Sequence, residues 1–461
     1  MALEKSRIGR LHSHRTPLPA LLAAGLGVVF VASACGDEGS NGGSSGGPSM
    51  SGGSANASGG QSPEAAKGGA PSIGRAPSHS GGANGGSVGP SKGGTASGGR
   101  PGKTGPSGGA ANTATGGASG GTGGSAPGGE PPSCAMSGSG RTTCGKNEDE
   151  SCCTSPLVEG GTYSRTYTNQ GKGASGKGDP ATISSYRLDK YEVTVARMRE
   201  YVKYLEGGGS PPAAGSGKHS YLNGGKGLAD SGKVGSFEPG WDAAWNRRIP
   251  SGAGATAKWR ANLTSGGCKT YGTWTDEPGK NEMLPLTCPS WYESYAFCIW
   301  DGGFLPSEAE WKYAAAGGDE LRAYPWGSTA PGSDNEYAIY DCCYPNGQCS
   351  VSSGRDTCTG VVNAAPVGFA AKGIGKYGQI DLVGNVWEWL IDRYADYVNP
   401  CEDCAYLTGN TNNRVMPGAG FHTGANLGAT LLYSYNRSSI SYDANSYRGD
   451  YAVGFRCARA P

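Results

Sequence analysis

Cysteines are the residues of this chain whose type and spacing are best suited to chemistry. The sequence holds 15 of them, and one pair stands in the run Cys401-Glu-Asp-Cys404. This spacing is typical of a thiol redox motif or of half a zinc site. No strand–turn–helix pattern surrounds the pair, no second pair matches it, and the chain has only 5 histidines. The pattern therefore favours a structural crosslink over redox or zinc chemistry.

The remaining cysteines indicate an oxidising compartment. Setting Cys35 aside leaves 14 of the 15, an even number that allows up to seven disulfides. Most of them are clustered, and the others are Cys268, Cys288, Cys298 and Cys457. The neighbours Cys152 and Cys153 are poorly placed to bond to each other, so we expect each to reach a different partner.

The N-terminus has the features of an export signal. Four basic residues precede an apolar run from Leu18 to Val31, and the small residues of Ala32-Ser-Ala34 precede Cys35. Such a run is too short for a comfortable membrane-spanning helix. The ending resembles a bacterial lipobox, in which Cys35 becomes the lipidated N-terminus, although Ala32 stands where Leu is usual. The alternative is an ordinary cleaved signal with an incidental cysteine.

Composition divides the rest of the chain in two. Residues 36–133 hold 34 glycines in 98 positions and no Phe, Trp, Tyr or Cys, whereas all 10 Trp lie between Trp241 and Trp389. A stretch without aromatic side chains cannot bury enough surface to offset its ordering entropy, so we predict a disordered Gly/Ser/Pro linker. The net charge of +1 gives no reason to expect a nucleic-acid binder, which needs a basic face.

Three segments of the C-terminal part predict helices. Thr194 precedes Val195–Leu205, which carries apolar residues at helical spacing. Capping boxes at Ser290–Glu293 and Ser307–Glu310 open two more, over 291–301 and 308–316, and Gly317-Gly318 ends the last one. Short strand-like runs and long polar loops elsewhere favour an α+β fold.

Five motifs in a fixed order resemble the sulfatase-modifying-factor, or formylglycine-generating-enzyme, family. They begin at Leu188 and end at Arg459, and the similarity spans about 157–461: Leu188-Asp-Lys-Tyr-Glu-Val-Thr194, Leu305-Pro-Ser-Glu-Ala-Glu-Trp-Lys-Tyr313, Tyr324-Pro-Trp-Gly327, Leu382-Val-Gly-Asn-Val-Trp-Glu-Trp389 and Gly454-Phe-Arg-Cys-Ala-Arg459. The resemblance implies a C-type-lectin-like α+β domain with little regular secondary structure.

The family's oxidase chemistry needs two cysteines that bind copper and activate oxygen. The aligned positions here hold Thr423 and Gly428, and no cysteine stands between Cys404 and Cys457. Neither residue offers a thiolate to a soft metal ion, so copper binding and formylglycine formation are expected to be lost. The alternative is that displaced cysteines, Cys401 and Cys404, have taken over the reaction.

Two structural features of the family carry over by resemblance. Its helix cysteine and its C-terminal cysteine match Cys298 and Cys457, which implies a disulfide between them. Its calcium ligands map onto the side chains of Asp381 and Glu388 and the carbonyl groups of Gly384 and Val386, oxygen donors that suit Ca²⁺. The alternative is that the two carboxylates are solvated or pair with Arg393.

Other aromatic and polar residues allow more than one interpretation. Four tryptophans of the polar insert 206–280 either pack in the core, which we favour, or form an exposed stacking platform: Trp241, Trp245, Trp259 and Trp274. His422 stands beside the expected groove and could act as an acid or base. An unrelated enzyme that uses His422, Asp443 or Arg437 is a further alternative.

We therefore divide the chain into a signal peptide (1–34), lipidated Cys35 with the linker (35–133), a Cys-rich lead-in (134–156) and a formylglycine-generating-enzyme-like domain (157–461). The predicted protein is a lipoprotein of the bacterial cell envelope, at the outer membrane or cell surface, tethered through its lipid. We expect a pseudoenzyme that binds a peptide or glycan, does not bind nucleic acid and holds structural Ca²⁺. The alternative is an active formylglycine-generating oxidase.

Overall fold

Regular secondary structure is sparse, and loops connect short elements. The computed structural model describes residues 129–266, 268–342, 344–345, 364–409, 413–423, 428–437, 442–443 and 452–461. The predicted signal peptide, Cys35 and nearly all of the predicted linker lie outside these ranges. Among the described helices, none combines the length and apolar character that crossing a membrane requires.

Twelve short strands lie within the described ranges: β1 Leu157–Val158, β2 Gly161–Thr168, β3 Ser175–Ile183, β4 Tyr186–Leu188, β5 Ala229–Asp230, β6 Trp387–Glu388, β7 Cys401–Glu402, β8 Cys404–Ala405, β9 Asn413–Arg414, β10 Tyr442–Asp443, β11 Val453–Gly454 and β12 Ala458–Arg459. The antiparallel pair β2–β3 is the longest ladder, and β7 extends it in parallel, with Ala181 opposite Cys401. A second sheet, β1–β4–β12, brings the C-terminal strand beside the first strands. The remaining strands pair in twos, β5 with β8, β6 with β11 and β9 with β10.

In the part of the chain that the structure describes, six α-helices accompany these strands: α1 Val195–Glu206, α2 Ala255–Thr264, α3 Cys268–Tyr271, α4 Trp291–Trp300, α5 Glu308–Ala316 and α6 Gly428–Leu431. All three predicted helices are present. The Thr194 hydroxyl caps α1, both predicted capping boxes are formed, and Gly317 ends α5 with a φ of 66°. Left-handed backbone at Gly317 costs little because glycine has no Cβ.

Helices α4 and α5 form the centre of the hydrophobic core. Every residue of α5 is buried, which is typical of a helix enclosed on all sides. The insert tryptophans join this core, since Trp241, Trp259 and Trp274 are at most 6 % exposed and Trp245 packs edge-on against Trp291. The alternative of an exposed stacking platform was therefore wrong.

The lead-in is an integral part of the domain. Disulfides join Cys134 to Cys153 and Cys144 to Cys152, so the adjacent cysteines do reach different partners. Ser133, which the sequence had placed in the linker, is fully buried and its amide donates to Asp301. The linker boundary is therefore corrected, because ordered structure already includes the short 3₁₀ turn Pro132–Cys134.

Three further disulfides lie in the described ranges. Cys298 on α4 bonds to Cys457, the pair that the family resemblance implied, across 159 residues. Cys268 bonds to Cys288, and Cys401 bonds to Cys404. Cys342 is also disulfide-bonded. Together with the mixture of helices and strands, these bonds agree with the predicted disulfide-rich α+β domain.

Candidate functional site

Thr423 is the first of the two positions that the family resemblance aligns with copper-binding cysteines, and its hydroxyl is engaged in a tight turn. The Gly420 amide donates to Thr423 Oγ1 at 3.0 Å, and the Thr423 amide donates back to the Gly420 carbonyl at 2.9 Å. The side chain is 7 % exposed. At this position the chain therefore presents a hydroxyl that closes a turn, and no sulfur.

Gly428, the second aligned position, is the first residue of helix α6. Residues 424–427, between the two positions, lie outside the described ranges. Glycine has no side-chain donor in any conformation. The pair Thr423 and Gly428 therefore cannot supply the two thiolates of a copper site.

The loop 381–388 lies directly beneath this segment. Three main-chain hydrogen bonds join the two segments. The Gly384 amide donates to the Gly418 carbonyl at 2.7 Å, the Phe421 amide to the Asn385 carbonyl at 2.8 Å, and the Glu388 amide to the Pro417 carbonyl at 3.1 Å. Gly384 has a φ of 92°, and a Cβ added there would lie 2.9 Å from the Ile339 backbone. Only glycine therefore allows this close approach.

Glu388 is held by an ion pair that the sequence analysis did not foresee. Arg456 donates to both carboxylate oxygens, with Nη2 2.7 Å from Oε1, and Trp311 donates to Oε2 at 2.9 Å. Glu388 and Arg456 are fully buried. The partner is therefore Arg456; Arg393, the partner named in the sequence alternative, donates from Nε to the Leu407 carbonyl.

Asp381 lies in the same buried region and keeps one oxygen open. Its Oδ2 accepts from the Gly368 amide at 2.7 Å, whereas Oδ1 has no hydrogen-bond partner among the described residues. Burial raises the pKa of Asp381 to about 6. Glu192 is buried nearby, and burial followed by the charge of Asp381 raises its pKa as well.

Glu192 and Asn385 connect the first family motif to this loop. Asn385 Nδ2 donates to Glu192 Oε2 at 2.8 Å, and the Val386 amide donates to Glu192 Oε1 at 3.2 Å. Both residues stand inside family motifs, but neither was predicted to have a role at the site. Their residue types could have indicated a role, since a carboxylate and an amide within otherwise apolar motifs need polar partners once they are buried.

The fit of these residues to a calcium ion is partial. Asp381 Oδ1 is open to an ion, as a hard oxygen donor should be. Both oxygens of Glu388 already accept hydrogen bonds from Arg456 and Trp311. Within the described ranges, no group of three or more His, Cys, Asp or Glu side chains has the arrangement of a metal site. The Asp381 end of the expected site therefore suits Ca²⁺ better than the Glu388 end.

A different cysteine lies against the segment that carries Thr423. The Cys342 amide donates to the Phe421 carbonyl at 2.7 Å, and the Asp341 amide donates to the Thr423 carbonyl at 3.0 Å. Sequence reasoning had considered only Cys401 and Cys404 as displaced cysteines. Cys342 and Phe421 are 79 positions apart in the sequence, and no sequence signal predicts this contact; it follows from the fold alone.

The other candidates lie in different surroundings. Cys401 and Cys404 lie on β7 and β8, which pair with β3 and β5. Arg437 forms an ion pair with Glu308, 2.7 Å from Nε to Oε1. His422 is 2 % exposed and its ring lies 5.5 Å from that of Phe421. The backbone of Asp443 pairs with Asn413 in β9–β10. Of these candidates, as far as the described residues extend, the structure places His422 next to Thr423.

Comparison with known sequences bears on this site. A family model described as a sulfatase-modifying factor enzyme 1-like domain matches residues 141–461. The chain is similar to the formylglycine-generating enzyme of Mus musculus, with 32 % identity over 181 residues, which is 38 % of this chain and 44 % of that protein. It is also similar to the inactive C-alpha-formylglycine-generating enzyme 2 of Bos taurus, with 38 % identity over 113 residues, 24 % of this chain and 34 % of that protein.

Both matches span less than half of the length of these relatives. Among solved structures, that of PvdO from Pseudomonas aeruginosa shares 18 % identity with a TM-score of 0.38, covering 66 % of this chain and 93 % of that one.

Proposed function

Since the chain belongs to the sulfatase-modifying factor enzyme 1-like family, we propose that it is an exported binding module that keeps the family scaffold without its oxidase chemistry. Its ligand is a peptide or a glycan, taken up at the groove that the family resemblance implies beside Thr423. A lipid on Cys35 holds the protein at the cell envelope. Function placed on the loops of a stable scaffold is common, because loops vary without loss of the core.

The observation that carries this proposal is the hydrogen bonding of the Thr423 hydroxyl. Its Oγ1 accepts the Gly420 amide and closes a turn. A hydroxyl cannot replace a thiolate as a ligand for a soft metal ion, nor can it be oxidised through a thiol cycle. Similarity to a relative described as inactive is compatible with the proposal, although similarity to active enzymes is of the same order.

A peptide assay tests the loss of oxidase chemistry. The mature protein is incubated with copper, oxygen, a reductant and a sulfatase-type peptide that contains cysteine, and the peptide is analysed by mass spectrometry. We expect no conversion of cysteine to formylglycine. Turnover above that of a copper-only control would contradict the proposal.

A matched gain-of-thiol variant makes a negative result informative. Thr423→Cys with Gly428→Cys restores the two sulfur positions, and a Cu(I) competition assay is expected to detect tight binding in this variant only. Ser328→Cys, at an exposed position, is the control for an incidental thiol. Tight Cu(I) binding by the unsubstituted protein would count against the proposal.

One observation favours a second candidate, an oxidase that uses a displaced cysteine. The Cys342 amide donates to the carbonyl of Phe421, two residues before Thr423, and the Cys342 sulfur is in a disulfide that the reductant of the assay would have to open first. If peptide turnover is seen, Cys342→Ser is expected to abolish it and Cys401→Ser to leave it unchanged. Loss of turnover in the second variant instead would assign the reaction to the Cys401–Cys404 pair.

A further inference from the structure

The disulfide between Cys401 and Cys404 borders a recess that the proposed function does not use. The recess is shallow and opens to solvent, spans about 290 Å³ when the solvent at its mouth is included, and is lined by Cys404 together with Arg165, Glu308, Asp392, Tyr397 and Arg437. We propose that Cys401 and Cys404 form a reversible thiol–disulfide exchange centre whose co-substrate is a small external thiol or dithiol entering this recess. The proposal is independent of the binding function at Thr423.

Arg165 supplies the charge that such chemistry needs. Its side chain lies on the inward face of β2, is 4 % exposed, and places Nη1 3.9 Å from Cys404 Sγ. The other nitrogens are tied to main-chain and amide oxygens, with Nη2 2.9 Å from both the Val398 carbonyl and Asn399 Oδ1. The guanidinium is therefore held beside the sulfur, where it stabilises a Cys404 thiolate.

The other charged groups of the recess are already compensated. Glu308 pairs with Arg437, and Asp392 accepts two main-chain amides, from Glu308 at 2.7 Å and Tyr406 at 2.8 Å. Asp396 also lines the recess and is exposed to water. Of these groups, Arg165 is the one in contact with sulfur.

The backbone holds the Cys401–Cys404 turn in place without help from the S–S bond. The Asp403 amide donates to the Thr182 carbonyl at 2.9 Å, and the Asp403 carbonyl accepts from the Ala229 amide at 2.8 Å. Ser184 donates from both its amide and its hydroxyl to the Asp403 carboxylate, each at 2.6 Å. The dithiol form would therefore keep the native turn, as a reversible centre requires.

The step is an exchange of two electrons between sulfurs. An external thiolate attacks Cys404 Sγ from the recess, forming a mixed disulfide and releasing Cys401 as a thiolate, which takes up a proton. The second thiol of the external dithiol then attacks its own sulfur in the mixed disulfide and releases Cys404 as a thiolate beside Arg165. The external dithiol is oxidised to its disulfide, and the protein pair is reduced to a dithiol.

Graded reduction of the folded mature protein tests the proposal. Samples equilibrated with increasing dithiothreitol are alkylated and mapped by peptide mass spectrometry, with circular dichroism recorded in parallel. Cys401 and Cys404 are themselves only 2 % and 4 % exposed, but the recess borders Cys404. We therefore expect this pair to be alkylated first, with unchanged dichroism, while the pairs Cys144–Cys152 and Cys298–Cys457 stay intact. Oxidised glutathione should restore the bond. The proposal would be overturned if the Cys401–Cys404 bond were reduced no earlier than the two other pairs, or if its reduction required loss of the dichroism signal.

A second experiment isolates the effect of Arg165. In a Cys401→Ser background, which leaves Cys404 as a free thiol, Arg165→Gln is expected to slow alkylation of Cys404 several-fold. Arg187→Gln is the matched control, since Arg187 lies on β4 and donates to the Ser155 carbonyl at 3.1 Å. Equal alkylation rates in the two variants would overturn the role of Arg165 in the centre. If a variant fails to fold, the dithiothreitol titration of the unsubstituted protein still tests whether the Cys401–Cys404 bond is reversible.

Discussion

Arg197 and Asp301 form a fully buried ion pair, with Nη2 2.6 Å from Oδ2, at the point where distant parts of the chain meet. Asp189 and Arg459 complete a network of alternating charge, and Arg459 Nη2 lies 2.8 Å from the same Asp301 oxygen. Ser133 donates its amide to Asp301 Oδ1. The lead-in, α1, the end of α4 and the C-terminal strand are thus joined through one carboxylate.

Arg197→Met is expected to destabilise the domain by about 3–5 kcal/mol, because it leaves buried carboxylates short of a partner. Burial opposes ionisation of Asp301, but the charges of Arg197 and Arg459 outweigh it and hold the pKa below the ordinary 3.8. A lowered folded-state pKa stabilises the fold above about pH 4, and that contribution is lost as the pH falls through the folded value. The free energy of unfolding from urea titrations, measured between pH 3 and pH 7, checks both points.

Lys203→Met on the same helix is the control, since the Lys203 side chain is exposed and pairs with Glu200 at 3.0 Å, while Glu200 keeps Arg141 as a second partner. An exposed pair contributes about 0–1 kcal/mol. If both variants lost the same free energy of unfolding, the buried Arg197 network would contribute no more to stability than the Lys203–Glu200 pair.

His219 predicts sensitivity to alkaline pH. Its ring is fully buried between two carboxylates, with Nδ1 3.0 Å from Glu238 and Nε2 3.2 Å from Glu310. Burial lowers the pKa of His219, but the charges of Glu238 and Glu310 outweigh it and raise the pKa to about 10. A raised folded-state pKa gives stability that is fully present below about pH 6.5 and is lost as the pH rises through about 10.

His219→Gln is therefore expected to cost about 3 kcal/mol or more at neutral pH and progressively less toward pH 10. The measurement is Tm of both proteins at intervals from pH 6 to pH 10.5. A difference in Tm that stays constant across this range would mean that His219 is neutral in the folded protein.

The two disulfides at opposite extremes of loop length should differ in their effect on stability. Cys298–Cys457 closes a loop across 159 residues, whereas Cys401–Cys404 spans three. In the chain-entropy model, removal of the long crosslink costs about 4–5 kcal/mol and removal of the short one about 2 kcal/mol. Paired Cys→Ala variants compared by urea unfolding test this order, and a larger loss for Cys401–Cys404 would contradict it.

Calcium binding is proposed at Asp381, whose Oδ1 is open, together with the Gly384 and Val386 carbonyls and Glu388. An ion that binds only the folded state raises stability by about 2.7 kcal/mol at 100 times its Kd. We expect Ca²⁺ to raise Tm of the unsubstituted protein and chelation with EGTA to reverse the rise, with no response in Asp381→Asn. Asp242→Asn, at an exposed helix cap, should respond as the unsubstituted protein does. The absence of any calcium response in the unsubstituted protein would refute the site.

The sequence by itself determined those helices whose start is marked by capping residues only a few positions apart. The capping boxes at Ser290–Glu293 and Ser307–Glu310 were predicted because the donors and acceptors that start those helices stand within four positions. Motif order determined the family in the same way. The absence of sulfur at Thr423 and Gly428 is likewise a property of the residues themselves.

Tertiary structure alone decided which distant groups meet. Arg456, not Arg393, holds Glu388; Cys342, not Cys401, lies beside Phe421; and Ser133 belongs to the core. The physical reason is that every buried charge and main-chain amide needs a hydrogen-bond partner, and the packing of the whole chain decides which group that is. Loops have no periodic sequence pattern, so the sequence does not show which residues they bring together.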